Sequence, residues 1–409
     1  MMRRIRRFLQ QEYLAFQKLS PGGRQLLMST SLAGIAAPLS SAFSGAYLWR
    51  HLHSIPALVL WNVFFFLFLC VGFGLNGVLM RYRSLVRTYL IGCMLMGAVP
   101  FLLILIHPTH LAGVSLLGAL FGTGGGFYWG SRNLFTLRNT VEGDRLYYSG
   151  LEGVIGTILG IAVPLLTGSV FLFAEHLGVV AIEIVYALFA FIGFIFMCFS
   201  GLRMHDLHEK DHASKHLFVS HPSRRWNRLR LLEVFHGFHG GLETVIPQIM
   251  VLLLLGNEGA LGFVSSFSAC VAFISTYAMG RLATTKHRPQ LLTIWIAFEL
   301  LASAIFAIAY SSWSVLMYSA IVSIVGSFRW TALASIMFDA VEQESGHASE
   351  HYALVYDREI WLNVGRVAGL AALVGFYALS PYWTIRCALV GGMLLQLVTY
   401  RLGSELSKG

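Results

Sequence analysis

The sequence predicts an all-α polytopic membrane protein with twelve transmembrane helices in two pseudo-symmetric six-helix halves. Three observations predict it. The 409 residues are 56% hydrophobic and 12% charged, with a mean hydropathy of +0.68, whereas an ordinary soluble domain has about 25% charged residues. Apolar segments long enough for a helix to cross hydrocarbon recur along the chain. A shift of 203 residues lays Gly34 on Gly237, Ala57-Leu58 on Ala260-Leu261, Gly77 on Gly280 and Leu79 on Leu282, as a duplicated half would. The segment lengths and the lack of period-two alternation exclude a transmembrane β-barrel.

The spans fall at 25–48, 56–80, 88–106, 111–134, 148–173, 178–202, 230–255, 258–281, 290–310, 313–337, 354–379 and 382–401. Before the first lies a basic lead-in, RRIRR at 3–7, with no apolar core and small-residue cleavage site directly after it, so it reads as a topological anchor. The longest polar connection, 203–229, divides the spans six and six. Residues 1–202 therefore form an N-terminal half, 203–229 a linker and 230–409 a C-terminal half.

Charge sets the orientation. Of the 29 Lys and Arg, 25 fall on the side of the termini and the linker, Arg50 and Arg386 on the other, and Arg329 and Arg366 within spans. The positive-inside rule then puts both termini in the cytoplasm, and the net charge of +9 implies membrane orientation with no nucleic-acid partner. Cys70, Cys93, Cys198, Cys270 and Cys387 are scattered through apolar spans without a CxxC and read as core residues. The linker histidines (His205, His208, His212, His216, His221) suit a solvated segment better than a metal site. His51, His53, His107 and His110 on the outer side are read the same way. No P-loop or GxSxG is present, and GTGGGF (122–127) sits in apolar helix as a packing surface. An enzyme and an ATP-driven pump are both disfavoured, and no cofactor is expected.

The stretches GVLMRYRS (77–84) and GRLATTKHR (280–288) each end the second span of a half with Gly, Leu and basic residues. They resemble the GxLaDRxGRr loop of the major facilitator superfamily. The family's Asp is unfilled in both copies, and Asn76 precedes the first Gly. Twelve spans, six-plus-six duplication and a central cytoplasmic loop extend the resemblance over the whole chain. FYWGSRN (127–133) and the REIxLNxGR pattern at 358–366 are similar to a poorly characterised bacterial branch of these transporters. The resemblance implies that spans one, four, seven and ten line a central cavity, while spans three, six, nine and twelve face lipid.

A charge at membrane depth costs several kcal/mol, so it normally faces a cavity or a partner. In EVFHGFHGGLETV (233–245), Glu233, His236, His239 and Glu243 share one helical face. The resemblance puts that face on the cavity. Proton coupling by His236, His239 and Glu243 is the leading reading. A structural network, with Gly237, Gly240 and Gly241 admitting another helix, is the plain alternative. A metal site is disfavoured, because one helix cannot close a coordination sphere, and Glu233 near the span end reads as solvated. Arg132 and Asn133 in the fourth span and Arg329 and Trp330 in the tenth form a candidate substrate site, with the arginines of opposite halves clamping a carboxylate or phosphate. The alternative has Arg132 on the cytoplasmic rim and Arg329 paired with an acid such as Asp339.

A shift of 207 aligns Glu152 with Glu359. With Arg358, Asn363 and Arg366 these make a candidate gate, and two-turn spacing permits an Arg366–Glu359 pair. In the fifth span Gly156, Gly160, Pro164 and Gly168 recur every four residues, while the family's antiporter form GPxxGG is absent. The expected function is secondary transport by alternating access of a small polar, anionic solute, coupled to protons or another ion. Its setting is membrane lipid, in a bacterial inner membrane, as a monomer. The alternatives are a proton-antiport exporter of drugs or lipid-like amphiphiles, and a receptor or intramembrane enzyme on the same scaffold.

Overall fold

The computed structural model describes residues 16–17, 19–39, 43–108, 110–139, 142–204, 217–219, 221–282, 288–345 and 350–407. The basic lead-in and all linker histidines except His221 lie outside them.

The described residues form thirteen helices and no strand. They are α1 (Pro21–Ala37), α2 (Phe43–Leu52), α3 (Ile55–Leu79), α4 (Leu85–Ile106), α5 (Leu111–Asn139), α6 (Glu142–Leu177), α7 (Val179–Leu202), α8 (Arg224–Leu254), α9 (Glu258–Leu282), α10 (Arg288–Ala309), α11 (Ser312–Glu344), α12 (His351–Leu379) and α13 (Pro381–Leu406). Eleven helices among the described residues are long and apolar enough to cross a membrane, as an integral multi-pass protein requires. The expected span 25–48 is the exception. It covers most of α1 and the start of α2, with a turn of π-helix at Pro38-Leu39, where proline withholds a backbone N–H, and residues 40–42 lie outside those described. Several other helices run past their apolar stretch, as α8 does from Arg224 rather than 230, because a helix continues into the polar interface where hydropathy falls.

Local chemistry fixes the ends. Ser20, Ser54, Ser223 and Ser311 cap their helices by accepting a backbone N–H. Gly178, at φ 100°, turns the chain between α6 and α7 in a conformation that favours glycine.

Helix α5 packs on α3 and on α4, α4 on α7, and α1 on α6 and α7. Later in the chain α8 packs on α12 and α13, α10 on α11 and α13, and α9 on α11. Extensive contacts of α6 with α9 and of α3 with α12 join these groups.

Glycine makes the closest approaches. A Cβ on Gly237 would lie 2.1 Å from the Leu362 carbonyl oxygen, and one on Gly365 would lie 2.1 Å from that of Val234. Gly241 and Gly369 repeat the arrangement one turn on, at 2.3 Å from the Arg366 oxygen and 2.2 Å from the Phe238 oxygen. So α8 and α12 meet through paired small-xxx-small motifs with their backbones in contact. Gly118, Gly122 and Gly126 of α5 do the same against α3, confirming that the fourth-span glycines serve packing. Pro164 and Gly168 of α6 lie against Gly262 of α9, so part of the fifth-span stripe is a helix seam.

Candidate functional site: a network of buried ion pairs

The polar face of α8 meets three different helices. Glu233, only 1% exposed, accepts from Arg358 of α12, with Nε at 2.8 Å and Nη2 at 3.4 Å. It is thus an ion-pair partner, not the solvated residue that its position near the span end suggests. His236 Nδ1 lies 3.4 Å from Glu233 Oε2. His239 is wholly buried, and its Nε2 lies 2.7 Å from Glu299 Oε1 of α10. Glu299 Oε2 also accepts from the Trp295 indole N–H at 2.5 Å. Among the described residues the other imidazole nitrogen, Nδ1, has no partner, and it abuts Gly392 of α13, where a Cβ would approach to 2.9 Å. Glu243 takes both ends of the Arg329 guanidinium of α11, at 2.6 and 3.1 Å. The same guanidinium lies 5.6 Å from the Trp295 ring centroid, so one indole touches both the arginine and Glu299.

Arg132 is held within its own neighbourhood. Its Nη2 lies 2.5 Å from Glu152 Oε1 of α6, its Nη1 3.2 Å from Asn133 Oδ1, and its plane 5.5 Å from the Trp129 ring. Arg132 and Arg329 do not meet; each already has a carboxylate. Asp339 is not the partner of Arg329, because it pairs with Arg288 at 2.6 Å. Trp330, next to Arg329 in sequence, is 73% exposed.

On α12, Arg358 bridges Glu233 and Glu359, the latter at 2.7 Å. Asn363 Nδ2 donates to the Glu359 carbonyl at 2.8 Å and faces its Oε2 at 3.4 Å. Arg366 Nη1 donates to Asn363 Oδ1 at 3.0 Å. The amide therefore stands between Glu359 and Arg366, where the two-turn spacing suggests a direct pair. Glu152 and Glu359, aligned by the repeat, have different partners: an arginine on the preceding helix and an arginine next to it in sequence.

Sequence reasoning missed three acids. Glu299 is a lone carboxylate in the apolar IWIAFELLASAIF (294–306), and its isolation was the available signal. Asp357 accepts from Trp226 Nε1 and from Arg230 Nε and Nη2, each at 2.7 Å. Glu258, at the start of α9, accepts from Arg50 at 2.7 Å and Tyr186 at 2.9 Å, tying α9 to α2 and α7. Glu258→Ala removes both bonds, for an expected cost of about 2 kcal/mol. The check is the thermal-unfolding midpoint in detergent, and an unchanged midpoint would show that this clasp carries no stability.

His239, Glu243 and Glu299 offer ligand atoms within 4.8 Å of one another. Glu299 supplies the second helix that α8 alone lacks, yet Glu243 is engaged by Arg329, and a cation would have to displace that guanidinium. The network is better suited to exchanging counter-ions. An anion arriving at an arginine, or a proton at an acid, changes which pairs can form.

Compared with the models of known protein families, the chain matches none. It is 24% identical over 356 residues to the uncharacterised protein YqgE of Bacillus subtilis (strain 168), covering 87% of this chain and 82% of that protein. It is 31% identical over 162 residues to an uncharacterised protein in the sodM 3' region of Geobacillus stearothermophilus, covering 37% of this chain and 74% of that protein. Among solved structures it is similar to the nucleoside transporter NupG, with a TM-score of 0.67 at 13% identity over 95% of this chain and 100% of that one. It is also similar to the human organic anion transporter MFSD10 (TETRAN), with a TM-score of 0.63 at 13% identity over 94% and 99%. These likenesses show that the chain shares the all-helical fold of those two transporters, and the Geobacillus match shows that it belongs to the same family as that protein.

Proposed function

We propose that the chain is a secondary active transporter moving a small polar, anionic solute by alternating access, coupled to protons. Its twelve spans form two pseudo-symmetric halves, 1–202 and 230–409, joined by the linker 203–229. It works as a monomer in a bacterial cytoplasmic membrane with both termini inside, without a cofactor. The shared fold with a nucleoside transporter and an organic anion transporter supports the transport class. The matching helix pairs, α4–α7 with α10–α13 and α1–α7 with α8–α13, support the pseudo-symmetry.

One observation carries the anionic solute. Arg132 and Arg329, near matching Gly-Ser pairs on α5 and α11, each hold a carboxylate while both partners remain about one-fifth exposed. A partly accessible guanidinium neutralised by a carboxylate is a site at which an incoming anion replaces the resident one. Asn133 and Trp330 flank the two arginines in sequence. Glu152, Arg358, Glu359, Asn363 and Arg366 exchange partners as the halves rock, and His236, His239 and Glu243, joined by Glu299, carry the coupling proton.

The test is a thermal-stability screen of the purified protein in detergent against anionic metabolites, sugars, cations and lipophilic drugs. A ligand of the folded state raises its stability with log concentration above the dissociation constant. Stabilisation by an anion, lost in Arg329→Ala, is the expected result. Aromatic side chains exposed on the same helices, Trp129 and Trp330, favour the second reading, export of amphiphiles. Stabilisation by amphiphiles alone, indifferent to Arg329→Ala, would replace the first reading with the second.

A further inference from the structure

The arginines of the spans differ in what neutralises them. Arg132, Arg329 and Arg358 each hold a carboxylate, and Arg230 holds Asp357. Arg366 does not: among the described residues its guanidinium has one hydrogen bond, to the Asn363 amide oxygen at 3.0 Å, and one ring, Phe66, at 4.8 Å. A bare guanidinium at membrane depth is costly, and Arg366 is only partly buried. Its fork therefore retains N–H donors for an oxyanion. Phe66 belongs to α3 and Arg366 to α12, two helices in contact, while Gly240 of α8 leaves room beside Nε, where a Cβ would still be 3.9 Å away.

We propose that Arg366 is a further anion-binding residue, taking the single carboxylate of an organic monoanion, with the buried Phe66 ring holding the guanidinium in place. One guanidinium suits one negative charge. Asn363 orients the fork from one side, and the ring covers its plane. Because the guanidinium of α12 that would take the anion rests on a ring of α3, binding would bear on the contact between those helices. This goes beyond the exchange of partners at Arg132 and Arg329 but rests on the anionic-solute reading.

Benzoate is the probe, with benzamide as its neutral isostere, in thermal unfolding of the full chain in detergent. Benzoate is expected to stabilise the wild type and benzamide not. Arg366→Ala should weaken benzoate binding at least tenfold, and Arg366→Lys, which keeps the charge but not the fork, should weaken it less. Phe66→Ala, on the facing helix, should also weaken it, which keeps the proposal testable if Arg366→Ala does not fold. Equal benzoate stabilisation in wild type, Arg366→Ala and Phe66→Ala, with loss in Arg329→Ala, would overturn the assignment of Arg366 and leave the anionic reading standing. Equal response to benzoate and benzamide, or none to benzoate, would overturn the monocarboxylate site, while stabilisation by another anion in the wider screen would show whether the anionic reading survives.

Discussion

Arg358→Ala is expected to cost about 3–5 kcal/mol of stability, the range found when one partner of a buried ion pair is removed. Glu233, 1% exposed, would be left buried without the guanidinium that donates to it at 2.8 Å, and Glu359 would lose its neighbour at 2.7 Å. The loss should appear as a lower thermal-unfolding midpoint in detergent and a poorer yield of monodisperse protein. Glu233→Gln added to Arg358→Ala should recover much of it, because the amide leaves no bare charge. If the double variant is no more stable than Arg358→Ala, the damage comes from lost packing of the long arginine stem rather than from the orphaned carboxylate.

Gly237→Val and Gly365→Val should be still more disruptive. At both positions the obstructing atom is a carbonyl oxygen of the opposing backbone, at 2.1 Å from the added Cβ, so no side-chain rotation can relieve the clash. Overpacking with side-chain relief costs about 1–3 kcal/mol, and here α8 and α12 must separate along the seam. Loss of the folded peak in size-exclusion chromatography is the expected outcome. Gly153→Ala is the control, since nothing lies within 4 Å of its Cβ position. A folded Gly237→Val protein with wild-type stability would show that the helices are not in backbone contact.

These substitutions mark what sequence can and cannot convey. The helices were legible because hydrocarbon demands a long apolar run, and the glycines of GTGGGF (122–127) announced close packing before any partner was known. The polar residues of α8 were legible as exceptions to apolarity, and their shared face followed from helical period. Their partners were not, because pairing depends on which helix stands opposite and at what rotation. Glu243 meets Arg329, 86 residues away, rather than lining an opening with the histidines. Glu299 was passed over because the ninth span was expected to face lipid, whereas α10 turns that residue inward onto His239.

The ion pairs of α8 also have an order in time. Glu243, His239 and Glu233 find their partners 86, 60 and 125 residues further along the chain. At a synthesis rate of about 5–20 residues per second, α8 leaves the ribosome roughly 6–25 s before α12 can answer Glu233. During that interval the helix carries two glutamates and two histidines that lipid would reject. It must therefore wait beside the insertion machinery or against the helices already made, and its final seating belongs to the last stage of biogenesis, when α10, α11 and α12 arrive with their counter-charges.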